Sequence, residues 1–146
     1  MGARDKLRYA VLGDGPAARA VLEALERTDN GIATALISDD EAMADALARR
    51  YGVHLTKGTA ELPRVLRLEA VEALCVAAAG DPRAAFREAA ALGMPVVYAP
   101  SEAHGGAVEG ADLVLDLAND FLPQLRAFSA RAQVRTQSHQ ITIERG

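Results

Sequence analysis

Short apolar runs alternate along the chain with longer stretches in which apolar residues recur at helical spacing. Such an alternation of continuous apolar strands with helices predicts a parallel sheet covered on both faces. Strands are predicted at 9–12, 34–37, 53–55, 73–77, 95–99 and 113–115, and helices at 16–27, 41–51, 62–67, after 81–82 and at 120–135.

Local signals refine two of these helices. In the second, Met43, Ala46 and Leu47 are predicted to face inward and Gly52 to cap the C-terminus. Asp81 is predicted as the N-cap of the fourth helix, with Pro82 at its first position. Right-handed crossovers between the strands then give a doubly wound, Rossmann-like three-layer α/β/α domain of about six strands, with a ligand crevice at their carboxyl ends.

The end of the chain follows a different pattern. Residues 136–140 are polar without periodicity, whereas Ile141, Thr142 and Ile143 alternate like the start of a strand. We therefore expect a single domain over 1–135 and, over 136–146, a polar tail or an extra edge strand that is also consistent with the cut end of a longer chain.

Composition narrows the class of protein. The 146 residues are 50% hydrophobic and 25% charged, which suits a globular domain, and the net charge of −4 argues against nucleic acid as a partner. The single cysteine, Cys75, excludes an internal disulfide, and its apolar neighbours favour a buried thiol. No apolar stretch is long enough for a bilayer, so we expect a soluble, cytoplasmic protein without membrane contact.

The strongest chemical signal directly follows the first strand. The sequence Gly13-Asp14-Gly15-Pro16-Ala17-Ala18 fits the pattern G-x-G-x-x-G/A and opens the first helix. In this pattern the first glycine allows a tight turn, the second leaves room for a diphosphate, and a small third residue lets helix and strand pack closely. The alternative is a tight turn that binds nothing.

An acidic residue follows at the end of the second strand, about 20 residues after the glycine pattern. Asp39 can accept hydrogen bonds from the hydroxyls of an adenosine ribose and would repel a 2′-phosphate, so NAD is favoured over NADP as cofactor. Its alternative role is the N-cap of the second helix, for which Ser38 and Asp40 are also suitable.

The residues 9–25, 35–53 and 71–100 together resemble the N-terminal domain of the Gfo/Idh/MocA oxidoreductase family over about two-thirds of the chain. The resemblance implies an NAD(P)-binding Rossmann domain in which Gly13, Gly15 and Asp39 contact the cofactor. It also implies that the strand end at 77–79 runs beside the nicotinamide ribose. The full set of expected cofactor contacts is Gly13, Asp14, Gly15, Pro16, Ala17, Asp39, Ala78, Ala79 and Ala99.

Two departures from the family pattern bear on activity. Family members end their fifth strand with Glu-Lys-Pro, whereas this chain has Tyr98-Ala99-Pro100, so alanine stands at the position of the lysine. The family also adds a C-terminal α/β domain that forms the substrate pocket, and the residues after Pro100 are too few for it. We expect no catalytic residue in this chain, because alanine supplies neither a proton nor a positive charge.

Other candidates have ordinary interpretations. His104 lies in a loop on the ligand side of the sheet, where a solvent-exposed histidine is favoured over an acid/base, and no residues have metal-ligand spacing. Arg19 is close to the glycine pattern and is either an exposed helix residue or a phosphate contact. The final helix has a second apolar edge, so we expect a homodimer or fusion to a downstream domain.

These observations leave three hypotheses. The first is a regulatory or sensor module that binds NAD(H) or a related nucleotide without a catalytic domain of its own. The second is a fragment of an NAD-dependent oxidoreductase whose substrate domain lies elsewhere. The third is a structural or interaction domain that has kept the fold and lost the ligand.

Overall fold

The computed structural model describes residues 6–68, 70–77, 81–100 and 108–145. The strands are β1 (Leu7–Leu12), β2 (Gly31–Ile37), β3 (Leu55–Lys57), β4 (Ala73–Val76), β5 (Val96–Tyr98) and β6 (Leu113–Val114). The helices are α1 (Pro16–Arg27), α2 (Glu41–Tyr51), α3 (Leu62–Leu68), α4 (Arg83–Ala91) and α5 (Leu122–Arg145), with a 3-10 turn at Thr59–Glu61 before α3.

The strands form one parallel sheet in the order β3-β2-β1-β4-β5-β6. The predicted doubly wound α/β fold is therefore confirmed. The chain moves outward from β1 in one direction through β2 and β3, and in the other through β4, β5 and β6. A crevice opens at the carboxyl ends of β1 and β4, where the order reverses, and in such sheets this crevice is where ligands bind.

Two local predictions differ from the structure. The third strand is Leu55–Lys57 rather than 53–55, because the Val53 N–H still bonds to the carbonyl of Ala48 as the chain leaves α2. In α2, Met43 and Ala46 are exposed and the buried stripe is Ala44, Leu47 and Ala48. Alanine is compatible with either side of a helix, so the apolar pattern alone left this rotation open.

The helix-terminus signals agree better with the structure. Gly52 ends α2 in the left-handed conformation, with φ of 70°, as predicted. Helix α4 starts one residue later than expected, with Pro82 as its N-cap. Asp81 still performs the predicted capping chemistry, because its Oδ1 accepts the N–H of Arg83 at 3.0 Å.

The central strand β1 is held from one face of the sheet by α5. Leu125 and Phe128 of α5 are buried in the same core cluster as Leu7 and Tyr9. The Tyr9 and Phe128 rings lie 6.5 Å apart, and the Tyr9 hydroxyl makes a buried 2.6 Å hydrogen bond with Oγ of Ser129. Burial raises the pKa of Tyr9, so the phenol stays protonated and the pair is neutral.

Of the alternatives left open for 136–146, the extra edge strand is wrong. Helix α5 continues through the expected tail to Arg145, so Ile141 and Ile143 lie on a helix. No glycine or proline interrupts the sequence between Gln124 and Arg145, and each residue added to an existing helix gains one backbone hydrogen bond. In the described residues, neither α5 nor any other helix is long and apolar enough to cross a bilayer.

The buried Tyr9–Ser129 pair predicts a non-additive effect on stability. Tyr9→Phe or Ser129→Ala each leaves one buried hydroxyl without its partner, so each should reduce the free energy of unfolding by about 1–3 kcal/mol. The double variant leaves no hydroxyl without its partner, so its loss of free energy of unfolding should be smaller than the sum of the losses in the two single variants. Urea unfolding of the four proteins checks this, and strictly additive losses would show that the hydrogen bond contributes nothing.

Candidate functional site

The turn between β1 and α1 has the geometry that the glycine pattern predicts. Gly13 adopts a φ of 139°, which side-chain-bearing residues rarely adopt. Its N–H donates to the carbonyl of Ile37 at 2.9 Å, which ties the turn to the end of β2. Gly15 is the N-cap residue and Pro16 begins α1, so the turn leads directly into the helix.

The space in front of α1 is open. Among the described residues, no atom lies within 4 Å of a Cβ added to Gly15, and the N-cap position itself provides no side-chain hydrogen bond to the helix. The first N–H groups of a helix have no partner inside the helix, and they carry the positive end of its dipole. Ala18, fully buried, provides the close contact between helix and sheet. The N-terminus of α1 therefore presents free donors beside unfilled space, which suits an anion such as a diphosphate.

Asp14, in the middle of this turn, is directed away from the helix. Its Oδ2 accepts a 2.5 Å hydrogen bond from the hydroxyl of Ser38, the residue after β2. The Ser38 Oγ in turn accepts the N–H of Asp40 at 3.0 Å. A carboxylate that could have capped α1 is thus held at the end of the neighbouring strand.

Asp39 is exposed at the end of β2, as expected for a sugar-binding carboxylate. Its Oδ1 accepts the backbone N–H of Thr59 at 2.9 Å and its Oδ2 accepts the Thr59 hydroxyl at 2.6 Å. These two hydrogen bonds lower the pKa of Asp39 and keep it ionised at neutral pH. Each oxygen keeps further acceptor capacity, so ligand hydroxyls can still bind.

The alternative role for Asp39 as a helix cap is wrong. The N-cap of α2 is Asp40, whose Oδ1 accepts the N–H of Met43 at 3.2 Å. Asp39 is therefore available at the crevice rather than engaged by the helix that follows it.

Two cavities adjoin these residues. One, of about 440 Å³, lies beside Asp39 and is polar; its lining is Ser38, Asp39, Glu41, Ala44, Asp45, Thr56, Lys57 and Gly58. The other, of about 360 Å³, lies between α3 and α4 and is largely apolar; its lining is Leu12, Thr59, Ala60, Leu62, Pro63, Val76, Asp81, Pro82, Ala84, Ala85 and Glu88. A polar cavity suits a hydroxylated group and an apolar one suits a flat ring.

The remaining predicted site residues are less informative. Ala78, Ala79 and His104 lie outside the described residues. Ala99, directly after β5, is fully buried and its N–H bonds to the carbonyl of Val76, so it offers no side-chain surface to a ligand. Arg19 is exposed on α1.

Neither the cysteine nor the candidate metal ligands add a chemical function to the described part of the chain. Cys75 is fully buried, and burial raises the pKa of its thiol to about 12, so it is unreactive at neutral pH. Within the part of the chain that the structure describes, no group of three histidine, cysteine or acidic residues is placed to hold a metal ion.

Sequence reasoning missed two residues of the site, Ser38 and Thr59. Each donates a hydroxyl hydrogen bond to one of the two carboxylates at the end of β2. The sequence indicates Ser38 only as a candidate helix cap. Thr59 carried no signal, because it follows β3 and reaches Asp39 only in the folded sheet.

The fold is similar to those of solved oxidoreductase structures. A myo-inositol dehydrogenase from Lactobacillus casei in complex with NAD(H) and myo-inositol aligns with 64% of this chain and 28% of its own length, at 19% identity and a TM-score of 0.58. An oxidoreductase from Agrobacterium radiobacter in complex with NAD⁺, L-tartaric acid and magnesium aligns with 92% of this chain and 33% of its own, at 18% identity and a TM-score of 0.59. A 3-ketoreductase from Actinomadura kijaniata in complex with TDP-benzene and NADP aligns with 64% of this chain and 29% of its own, at 26% identity and a TM-score of 0.56.

These neighbours are oxidoreductases of the Gfo/Idh/MocA type, and the similarity covers the N-terminal Rossmann portion. The resemblance inferred from the sequence is thereby confirmed for that portion. The chain spans at most about a third of the length of the structures it matches. No protein-family model matches the sequence, and no curated protein matches it significantly.

The Asp39–Thr59 contact predicts a pH-dependent contribution to stability. Because the pKa of Asp39 is lower in the folded state, this contribution is complete above the unfolded pKa of 3.8 and is lost as pH falls through the folded value. Asp39→Asn should therefore destabilise the protein at pH 7, and its urea midpoint should converge with that of the wild type as the pH falls below 3.8. Asp45→Asn, which removes an exposed carboxylate that accepts no hydrogen bond from any described residue, controls for net charge. A difference in urea midpoint between the wild type and Asp39→Asn that does not shrink as the pH falls would contradict the stabilising role of the ionised Asp39.

Proposed function

We propose that this chain is a nucleotide-binding module that senses or holds NAD(H), or a related adenine dinucleotide, as a regulatory domain. The observation that carries the proposal is the open, uncapped N-terminus of α1 beside Gly15, with the carboxylate of Asp39 at the end of the next strand. The crevice at the carboxyl ends of the strands is the ordinary ligand position of this fold. The three oxidoreductase structures described above contain NAD(H), NAD⁺ or NADP, which supports a nicotinamide dinucleotide.

The residues present fit such a ligand. The backbone of 13–17 would hold the diphosphate through N–H groups at the start of α1. Asp39 would accept hydrogen bonds from the adenosine ribose, and the apolar cavity between α3 and α4 would take the base. A bound nicotinamide supplies hydride transfer, whereas the protein supplies binding and orientation. Because Asp39 is ionised, we propose that NAD is preferred over NADP.

The regulatory part of the proposal is supported by Ala99. A general acid or base contributes typically 10²- to 10⁴-fold to a rate, and the buried methyl group of Ala99 provides neither function at the position of the family's lysine. Strand β1 connects a ligand at the glycine turn to α5, since β1 both leads into the turn and bonds to Ser129 through Tyr9. Binding can therefore shift the population of α5 arrangements, or of a homodimer or downstream partner docked on that helix.

The two glycines of the turn provide the test of dinucleotide binding. Gly15→Ala meets no atom and needs no unusual φ, so it should leave stability within about 0.5 kcal/mol while filling the space for the diphosphate. Calorimetric titration with NADH should show binding by the wild type and a loss of at least tenfold in affinity for Gly15→Ala. Gly13→Ala is the structural comparison, because its φ of 139° should make alanine destabilising by about 1 kcal/mol or more.

The result also separates the proposal from a ligand-free role. If NAD⁺, NADH, NADPH and ATP at millimolar concentration give no heat of binding and no change in melting temperature, ligand sensing is rejected. The chain would then be a structural or interaction domain of the same fold.

The second candidate function is an oxidoreductase fragment whose substrate domain lies elsewhere, and the oxidoreductase neighbours favour it. The regulatory proposal predicts no change in absorbance at 340 nm when the protein is incubated with NAD⁺ and myo-inositol, in the wild type or in Ala99→Lys. Turnover that appears or rises in Ala99→Lys would favour the enzyme instead. Circular dichroism must accompany this variant, because the Ala99 methyl group is fully buried and a lysine there has to displace core contacts.

A further inference from the structure

The glycine turn carries a charged side chain that dinucleotide binding, as proposed above, does not use. Asp14 lies between the two glycines, and a carboxylate at that place would repel a diphosphate if it faced the helix. The hydroxyl of Ser38 instead holds it at the end of β2. The position of this carboxylate, rather than its presence, therefore decides its effect on a ligand.

The hydrogen bonds at Ser38 have only one consistent direction. The N–H of Asp40 can only donate, so the Ser38 oxygen accepts there and its one proton is left for Asp14. Asp14, half-buried, is thus held by a hydroxyl that the backbone itself orients. Substitution by asparagine keeps this hydrogen bond, because the amide oxygen can accept it, and removes only the charge.

A second carboxylate is held at the same strand end by a matching hydroxyl. Thr59 orients Asp39 just as Ser38 orients Asp14, and Ser38 and Asp39 are consecutive residues. The two carboxylates therefore flank the end of β2 from the side of the glycine turn and from the side of β3. The polar cavity beside Asp39 is also lined by two further acidic residues, Glu41 and Asp45, and by one cationic residue, Lys57.

We propose that Asp14, positioned by Ser38, is a second specificity-determining residue that acts with Asp39 to exclude a 2′-phosphorylated adenosine ribose from the crevice. This inference rests on the proposed dinucleotide function and deepens it. NADPH differs from NADH by one phosphate that carries nearly two negative charges at neutral pH. Two fixed carboxylates close to that phosphate would repel it, whereas neutral ribose hydroxyls can donate hydrogen bonds to either carboxylate.

The test compares the affinity ratio of NADH to NADPH in four proteins by calorimetry at low salt. The wild type should favour NADH, and Asp14→Asn should reduce this ratio about five- to tenfold, mainly by improving NADPH binding. Asp39→Asn should reduce it by a similar factor, and the double variant should bind the two dinucleotides nearly equally. Glu26→Gln, an equal loss of charge at the far end of α1, is the matched control and should leave the ratio within twofold.

A second measurement remains informative even if Asp14→Asn does not fold. In Asp39→Asn the remaining preference for NADH should decline between 50 and 500 mM salt, because screening weakens the repulsion from Asp14. An unchanged ratio in folded Asp14→Asn, or no salt-dependent preference left in Asp39→Asn, would overturn the role of Asp14. If the wild type binds neither NADH nor NADPH, the proposed function itself fails, so the two failures are distinguishable.

Discussion

The positive φ of Gly13 is the constraint on which the rest of the site depends. It lets the chain leave the central strand β1 and enter α1 within three residues, while the Gly13 N–H stays bonded to the end of β2. The start of α1, the end of β2 and the carboxylates that flank it are therefore fixed relative to one another by a single turn. A residue with a side chain at this position would disturb the whole arrangement rather than one contact.

Hydroxyl groups complete the arrangement that the turn begins. The hydroxyls of Ser38 and Thr59 each donate a hydrogen bond to a carboxylate, which holds both acids away from the space before α1. That space is electropositive, whereas the side of the crevice at the end of β2 is acidic. A diphosphate and an unphosphorylated ribose match these two neighbouring environments, and this match is the physical basis of the proposed ligand class.

The alternation of apolar strands and helices was sufficient to predict the fold, and the glycine pattern to predict the strand–turn–helix geometry. The sequence could not predict which face of α2 is buried, because alanines such as Ala44 and Ala46 suit either side. It left the tail open because Ile141, Thr142 and Ile143 favour strands in isolation, whereas α5 continues through them from a helix already packed on β1. The partners of Asp14 and Asp39 come from strands adjacent only in the folded sheet, which local patterns do not encode.

The two outer strands of the sheet are very short. β3 has three residues and β6 has two, whereas β1 and β2 in the interior have six and seven. A short edge strand offers few unpaired backbone groups to an incoming strand, which disfavours strand addition and amyloid-like stacking. Association of this domain through its sheet edges is consequently disfavoured.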